Sequence, residues 1–129
     1  MAVPQITSAE LSMIKSSLAL MFIRKVFERD AKILEQSGLL KSPEVYVSMI
    51  GEGIERVSIL QSEVKNELRK QNIRIYRLTQ DIDGIEAHYR CRKYEGTMRI
   101  LWSSLRNEMP ERMKAYLSIQ PTETVLSTR

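Results

Sequence analysis

The sequence predicts an all-α protein, an antiparallel helical bundle of two long helices plus a third, proline-interrupted helical region. The first observation is a set of apolar residues at intervals of three, four or seven, namely Val47, Ile50, Ile54, Val57, Val64 and Leu68. Such residues form one stripe on a helix, and another surface must cover that stripe. The second observation is the short connection before this helix, which predicts that the preceding helix lies antiparallel to it.

The first helix is predicted to begin at Thr7 or Ser8, because Thr7 and Glu10 have the spacing of a capping box. The apolar set broadens toward Leu34, which indicates contact with more than one neighbour. Gly38 is expected to end the helix as a left-handed cap. The inner face begins with Leu11, Ile14, Leu18 and Met21.

The second helix is predicted to start at Ser42 and Pro43 and to extend to about Gln71. Serine is a favoured N-cap, and proline at the first helical position loses no hydrogen bond. Gly51 and Gly53 lie inside this helix and are expected to mark close helix packing. A phosphate-binding loop is not expected there, because the strand and turn that it requires are missing.

Residues 72–84 interrupt the helical pattern. Apolar and basic residues alternate there as in a strand, in the order Ile73, Arg74, Ile75, Arg77 and Leu78. The sequence offers no obvious partner strand. Residues 73–78 are therefore interpreted either as an extended connector or as an edge that pairs with its symmetry mate in a dimer.

The third helical region is predicted to begin near Ile85, with Asp83 as its N-cap. Its apolar stripe is His88, Cys91, Tyr94, Met98, Leu101 and Leu105. Pro110 interrupts it, so residues 111–118 are either a kinked extension or a separate short helix. Residues 1–118 are predicted to form a single helical-bundle domain, and residues 119–129 a mobile tail.

The chain has 129 residues, which is the size of one domain. Its longest concentrated apolar stretch, residues 18–23, is far below the roughly 20 residues that cross a bilayer as a helix. The start of the chain lacks the features of a secretory signal, and Cys91 is the only cysteine. The sequence therefore predicts no membrane association and a cytoplasmic location.

Basic residues outnumber acidic ones by 12 to 7 between residues 65 and 118, and not in residues 1–64. Basic side chains can neutralise phosphates, and aromatic ones can stack on bases. The candidate polyanion-binding residues are Lys65, Arg69, Lys70, Arg74, Arg77, Arg90, Arg92 and Lys93. Tyr76, Tyr89 and Trp102 lie among or near them. Acidic residues are interleaved, however, so a solvated helix surface explains the same pattern.

His88 and Cys91 are three residues apart and would share one face of a helix. This pair leaves open a metal-dependent or thiol enzyme. Two ligands do not complete a zinc site, and a cysteine enzyme needs further groups that the sequence does not identify. We therefore predict that the protein is not an enzyme and has no catalytic residue, metal site or cofactor.

Several short residue combinations between Leu20 and Leu117 resemble those of a known family. They are Phe27-Glu28-Arg29-Asp30, Ile33-Leu34, Ser42-Pro43-Glu44-Val45-Tyr46, Asn72-Ile73-Arg74, Tyr94-Glu95, Leu105-Arg106 and Tyr116-Leu117. In this order they resemble a family of small uncharacterised helical proteins from spore-forming Gram-positive bacteria. That resemblance implies a compact helical protein of bacterial or bacteriophage origin, and it assigns no activity to any residue.

The leading functional hypothesis is a non-enzymatic protein–protein interaction or adaptor protein that forms a homodimer and holds another, unidentified protein. The broad apolar set on the first helix, with Met13, Met21 and Met49, leaves surface that a second copy can cover. The alternative is a small nucleic-acid-associated regulator that binds phosphates through residues 65–106.

Overall fold

The structure, a computed structural model that describes residues 6–118, contains three helices and a three-stranded antiparallel sheet. Its elements are α1 (Ser8–Ser37), α2 (Pro43–Lys70), β1 (Ile73–Gln80), β2 (Gly84–Cys91), β3 (Tyr94–Leu101) and α3 (Trp102–Leu117). The fold class is mixed α/β, so the prediction of an all-α helical bundle is wrong. The predicted tail, residues 119–129, lies outside the described residues.

The two long helices are confirmed. Thr7 caps α1 through the predicted capping box, in which its hydroxyl accepts a hydrogen bond from the Glu10 N–H and the Glu10 carboxylate accepts one from the Thr7 N–H. Gly38 ends the helix with a φ of 72°, which glycine adopts without strain. Pro43 opens α2 at its first position, as expected.

The predicted third helical region is wrong over residues 84–101, which form β2 and β3. Along β2, Ile85, Ala87, Tyr89 and Cys91 are buried, whereas the residues between them are more exposed. This period of two is the signature of a strand with one covered face. The residues of the predicted stripe, which lie on two successive strands, are three or four positions apart in the sequence. This spacing is also that of a helical stripe, so it predicts a helix.

β1 pairs with β2 within the chain, from Ile73 opposite Cys91 to Gln80 opposite Ile85. The interpretation of residues 73–78 as a connector is therefore wrong. The register shifts between Ile75 and Arg77, so Tyr76 bulges out of the ladder. The strand order is β1-β2-β3, which places β1 at one edge of the sheet.

α3 begins at Trp102 and continues through Pro110 as one helix. Its Leu105 is buried in the core between the sheet and the hairpin of α1 and α2. The alternative of a separate short helix after Pro110 is thus not observed. Among residues 6–118, no helix combines the length and the apolar character needed to cross a bilayer.

The core has two parts. The larger one joins the inner face of the sheet to α1, α2 and α3, and its main members are Ile14, Leu18, Leu68, Ile85, Tyr89 and Ile100. The smaller one lies where α1, α2 and α3 meet, and its members are Leu20, Ile23, Phe27 and Val57. Both depend on the stripes predicted for the first two helices.

The two glycines of α2 give a matched test of this packing. A Cβ at Gly53 would lie 2.9 Å from Leu117 Cδ2 and 3.3 Å from Phe27 Cε2, whereas a Cβ at Gly51 meets nothing within 4 Å. The packing role is therefore confirmed for Gly53 and wrong for Gly51. We expect Gly51→Ala to raise the free energy of unfolding by about 0.5 to 1 kcal/mol, because alanine is the better helix former.

Gly53→Ala should gain less than Gly51→Ala or lose stability, because its methyl group must displace neighbouring side chains. Chemical denaturation of the two variants measures the difference. Equal stabilisation of both would contradict the close contact of α2 with α1 and α3.

Candidate interaction cleft

An open cleft of about 660 Å³ separates the hairpin of α1 and α2 from the edge strand β1. Its floor is apolar and is formed by Leu18, Met21, Leu68, Ile73, Ile75 and Leu78. Met21 and Ile75 are only partly buried, and Leu78 is 38% exposed. The cleft therefore presents accessible apolar surface beside a sheet edge.

Three basic residues line the same cleft, Lys65 and Arg69 on α2 and Arg74 on β1. Arg74 is in register with Arg90 and so belongs to the outer face of the sheet. No acidic residue lines it in the described part of the chain. Arg69 donates only a long hydrogen bond, 3.4 Å, to the neutral amide oxygen of Asn66. The cleft thus combines an apolar floor with three basic residues, and no acidic residue belongs to its lining.

The eight predicted polyanion-binding residues do not form one surface. Lys65, Arg69 and Arg74 line the cleft. Arg74 is also on the outer face of the sheet, as are Arg77 and Arg90, which are in register with His88 and Glu95 respectively. The other three are at the end of α2 and in the β2–β3 turn, namely Lys70, Arg92 and Lys93.

Three of these eight residues have carboxylate partners. Arg90 lies 2.7 Å from Glu95, Arg92 lies 3.0 Å from Glu10, and Lys70 lies 3.9 Å from Glu67. The hydrogen bond from Arg90 holds the pKa of Glu95 below its ordinary value. An ion pair makes a cation less available to neutralise a phosphate. Among the predicted site residues, Lys65, Arg69 and Arg74 are the ones that line a cavity together.

The three aromatic residues near the basic segment have different surroundings. Tyr89 is buried in the core, and Trp102 packs edge-on against Phe22 and donates its indole N–H to the Asp81 carbonyl oxygen. Tyr76 is about half exposed. Of the three, Tyr76 is the one positioned to stack on a base.

His88 and Cys91 do not share a face, because residues three apart on a strand point to opposite sides. His88 is on the outer face, 3.4 Å from Glu86, and Cys91 is fully buried on the inner face. Burial raises the pKa of the Cys91 thiol, which makes it a poor nucleophile. The two side chains therefore do not meet, as they would have to in order to bind one metal ion or to act as a cysteine–histidine pair.

Sequence reasoning missed the apolar floor of the cleft. The spacing of Leu18, Met21 and Leu68 predicts helix packing. Whether they also line a cavity depends on where the sheet lies. The available signal was the alternation of Ile73 and Ile75 with Arg74 in β1. It indicated a strand with one apolar and one basic side, but not the position of that strand beside α2.

The ion pair of Glu10 and Arg92 joins the start of α1 to the β2–β3 turn and predicts a pH dependence of stability. Arg92 donates to both Glu10 carboxylate oxygens, at 3.0 and 3.1 Å. These bonds, with the one from the Thr7 N–H, hold the pKa of Glu10 below its ordinary value of 4.5. A carboxyl with a lowered folded-state pKa stabilises the protein above its unfolded-state pKa, and this stabilisation is lost as the pH falls through the folded-state pKa.

We expect Glu10→Gln to be less stable than the wild type by a constant amount above about pH 5, and this difference to shrink at lower pH. Denaturant unfolding of both proteins across the acidic range measures it. A difference that stays constant through the acid range would contradict the pairing of Glu10 with Arg92.

The fold and the cleft define a mixed α/β protein in which a helical hairpin packs on a three-stranded meander. A family model described as YhjD protein matches residues 5–121. The chain therefore belongs to the YhjD family. That description names no activity, so membership assigns no chemistry to any residue. No curated protein and no solved structure matches the chain.

Proposed function

We propose that the protein is a non-enzymatic interaction or adaptor protein that holds a partner protein at the β1 cleft. The observation that carries this proposal is an apolar floor, lined also by three basic residues, beside an edge strand. Sheet edges bind protein segments through main-chain hydrogen bonds, and adjacent grooves select their side chains. The partner chemistry complementary to this surface is an acidic polypeptide.

A small nucleic-acid-associated regulator acting through residues 65–106 is the second candidate. Five of its basic side chains have no ion pair or hydrogen bond with another residue in 6–118, namely those of Lys65, Arg74, Arg77, Lys93 and Arg106. Such side chains can neutralise phosphates. The apolar floor of the cleft favours the protein partner, because phosphates gain nothing from exposed leucine and methionine side chains.

We also propose that the protein forms a homodimer through the far end of the hairpin of α1 and α2. Large apolar side chains are about half exposed there, including Ile33, Val45, Tyr46 and Met49. They adjoin a small apolar groove lined by Leu34, Ile50 and Leu117. A second copy that presents the same patch can cover it about a two-fold axis.

Met49→Glu is expected to convert the dimer to a monomer at micromolar concentration, since it places a charge within the apolar patch. Light scattering coupled to gel filtration measures the mass of both proteins, with the exposed residue Ser48→Glu as the neighbouring control. A monomeric mass of the wild-type protein would remove this part of the proposal.

The resemblance seen in the sequence supports a bacterial or bacteriophage origin, with a spore-forming Gram-positive bacterium as the proposed source. A single, buried cysteine supports a cytoplasmic location, because a reducing compartment needs no disulfide.

Site-resolved photo-crosslinking tests the proposed function. p-Benzoylphenylalanine replaces Leu78 in the cleft or, as a control, Ile59, which is 60% exposed on α2 and does not line the cleft. In cells that produce the protein, position 78 is expected to yield a discrete protein adduct that position 59 does not yield. Adducts to nucleic acid at position 78 would favour the regulator, and equal adducts at both positions would contradict the proposal.

A further inference from the structure

We infer that the occupant of the β1 cleft is an extended acidic segment that adds to β1 as a fourth strand of the sheet. Its alternate apolar side chains lie in the cleft, and the carboxylates between them face the basic residues. This inference rests on the proposed function, and it specifies the conformation and the charge pattern of the bound segment.

Among residues 6–118, the backbone of β1 is paired with another strand on one side only. In an antiparallel ladder, alternate residues direct their N–H and C=O groups toward the paired strand, and the residues between them direct theirs away. β1 has β2 on one side and, among residues 6–118, no strand on the other. Its remaining backbone groups are therefore available to an incoming strand, as in other edge-strand complexes.

The apolar side chains of β1 lie on the covered face of the sheet. Ile73, Ile75 and Leu78 of β1 are on the inner face of the sheet, in register with Cys91, Tyr89 and Ala87. All three also line the cleft, opposite Met21 of α1. A strand added beside β1 extends this inner face, so every second side chain of that strand meets the apolar floor.

Basic residues lie on the outer face of β1 and on the α2 side of the cleft. Arg74 lies on the outer face of the sheet, in register with Arg90, and Arg77 lies in register with His88. Side chains on the outer face of an added strand are therefore next to basic residues of β1. Lys65 and Arg69 add positive charge on the α2 side of the cleft. Carboxylates at the positions between the apolar residues complement these charges.

A second copy of β1 fits this edge poorly. Two-fold pairing of β1 with itself would bring Arg74 and Arg77 of the two copies close together, and like charges across a strand pair are destabilising. The bulge at Tyr76 also limits indiscriminate edge pairing. The charge repulsion disfavours self-association at this edge and favours a segment of opposite charge.

Fluorescence anisotropy with synthetic peptides and the full-length protein tests the inference. The probe is a short labelled peptide that alternates valine and glutamate, and the matched control alternates valine and lysine. We expect the acidic peptide to bind saturably and at least about tenfold more tightly than the basic one. Equal affinities, no saturable binding, or tighter binding of single-stranded or duplex DNA would overturn the inference.

N-methylation of the acidic peptide tests the strand geometry. Methyl groups on one set of alternate amides should abolish binding, and methyl groups on the other set should preserve most of it, because only one set faces β1. An equal effect of both sets would overturn strand addition. Suppose that position 78 cross-links to a protein, but that peptide binding depends neither on the charge of the peptide nor on which set of amides is methylated. The strand inference then fails, and the interaction function stands. If position 78 cross-links to no protein, the proposed function itself fails.

Discussion

Replacing Phe27 by alanine is expected to lower the free energy of unfolding by about 3 to 5 kcal/mol. Phe27 is 1% exposed and packs with Ile23 and Val57 where α1, α2 and α3 meet. Truncation removes these apolar contacts and leaves a cavity. The backbone of α2 lies close to the ring at Gly53, so α2 has little side-chain volume there with which to fill the cavity. Denaturant unfolding followed by circular dichroism measures the loss.

Ile59→Ala on α2 is the control. Ile59 is 60% exposed and lies outside both the cleft and the proposed dimer patch, so its truncation should cost less than about 1 kcal/mol. Equal losses for the two variants would show that the junction of the three helices is not packed as described. A much smaller loss for Phe27→Ala alone would lead to the same conclusion.

Reversing the charge at Arg69 and Arg74 together is expected to lower the affinity for the acidic peptide by at least about tenfold and to abolish the adduct at position 78. Both side chains are exposed, and both residues border the cleft, Arg69 on α2 and Arg74 on β1. The substitutions Arg69→Glu and Arg74→Glu turn an attraction for carboxylates into a repulsion. They should change the free energy of unfolding by less than about 1 kcal/mol, because neither side chain belongs to the core.

Lys32→Glu with Lys41→Glu is the control for this double variant. Both lysines are exposed, lie outside the cleft lining and give the same change in net charge. We expect this control to bind the acidic peptide at nearly the wild-type affinity at physiological salt, where distant charges are screened. Equal losses in the two double variants would assign the effect to net charge rather than to the cleft.

The two long helices could be predicted because their signals are local. The side chains of Thr7 and Glu10 each accept a hydrogen bond from the other residue's backbone N–H. Gly38 ends α1 in the left-handed conformation, and Pro43 is the first residue of α2. Each of these features depends on residues within four positions in the chain. The apolar stripe of α2 also followed from spacing alone, and its position 57 is fully buried.

The sheet could not be predicted in the same way, because strand pairing joins residues that are distant in the chain. Ile73 pairs with Cys91, and the two-residue turn at Arg92 and Lys93 lacks glycine, although Arg92 has a positive φ of 56°. Without that turn signal, the apolar residues of β2 and β3 were interpreted as one helical stripe. A helix places His88 and Cys91 on one face, and the sheet places them on opposite faces.

The candidate site was predicted in part. Lys65, Arg69 and Arg74 were proposed from charge alone, and they line the cleft. Arg90 and Arg92 were proposed on the same ground, but they pair with Glu95 and Glu10. Which cations are neutralised depends on tertiary contacts. The apolar floor depends on the angle between β1 and the hairpin, which no local pattern encodes.

Amide hydrogen exchange along β1 tests the central claim most directly. It would be measured in the full-length protein alone and in complex with the partner that cross-links at position 78. If a strand adds to β1, we expect alternate amides of β1 to exchange rapidly in the free protein and to become protected in the complex. Exchange at the far end of the α1–α2 hairpin should be unchanged. Protection that appears elsewhere while β1 is unaffected, or β1 amides already fully protected in the free protein, would contradict it.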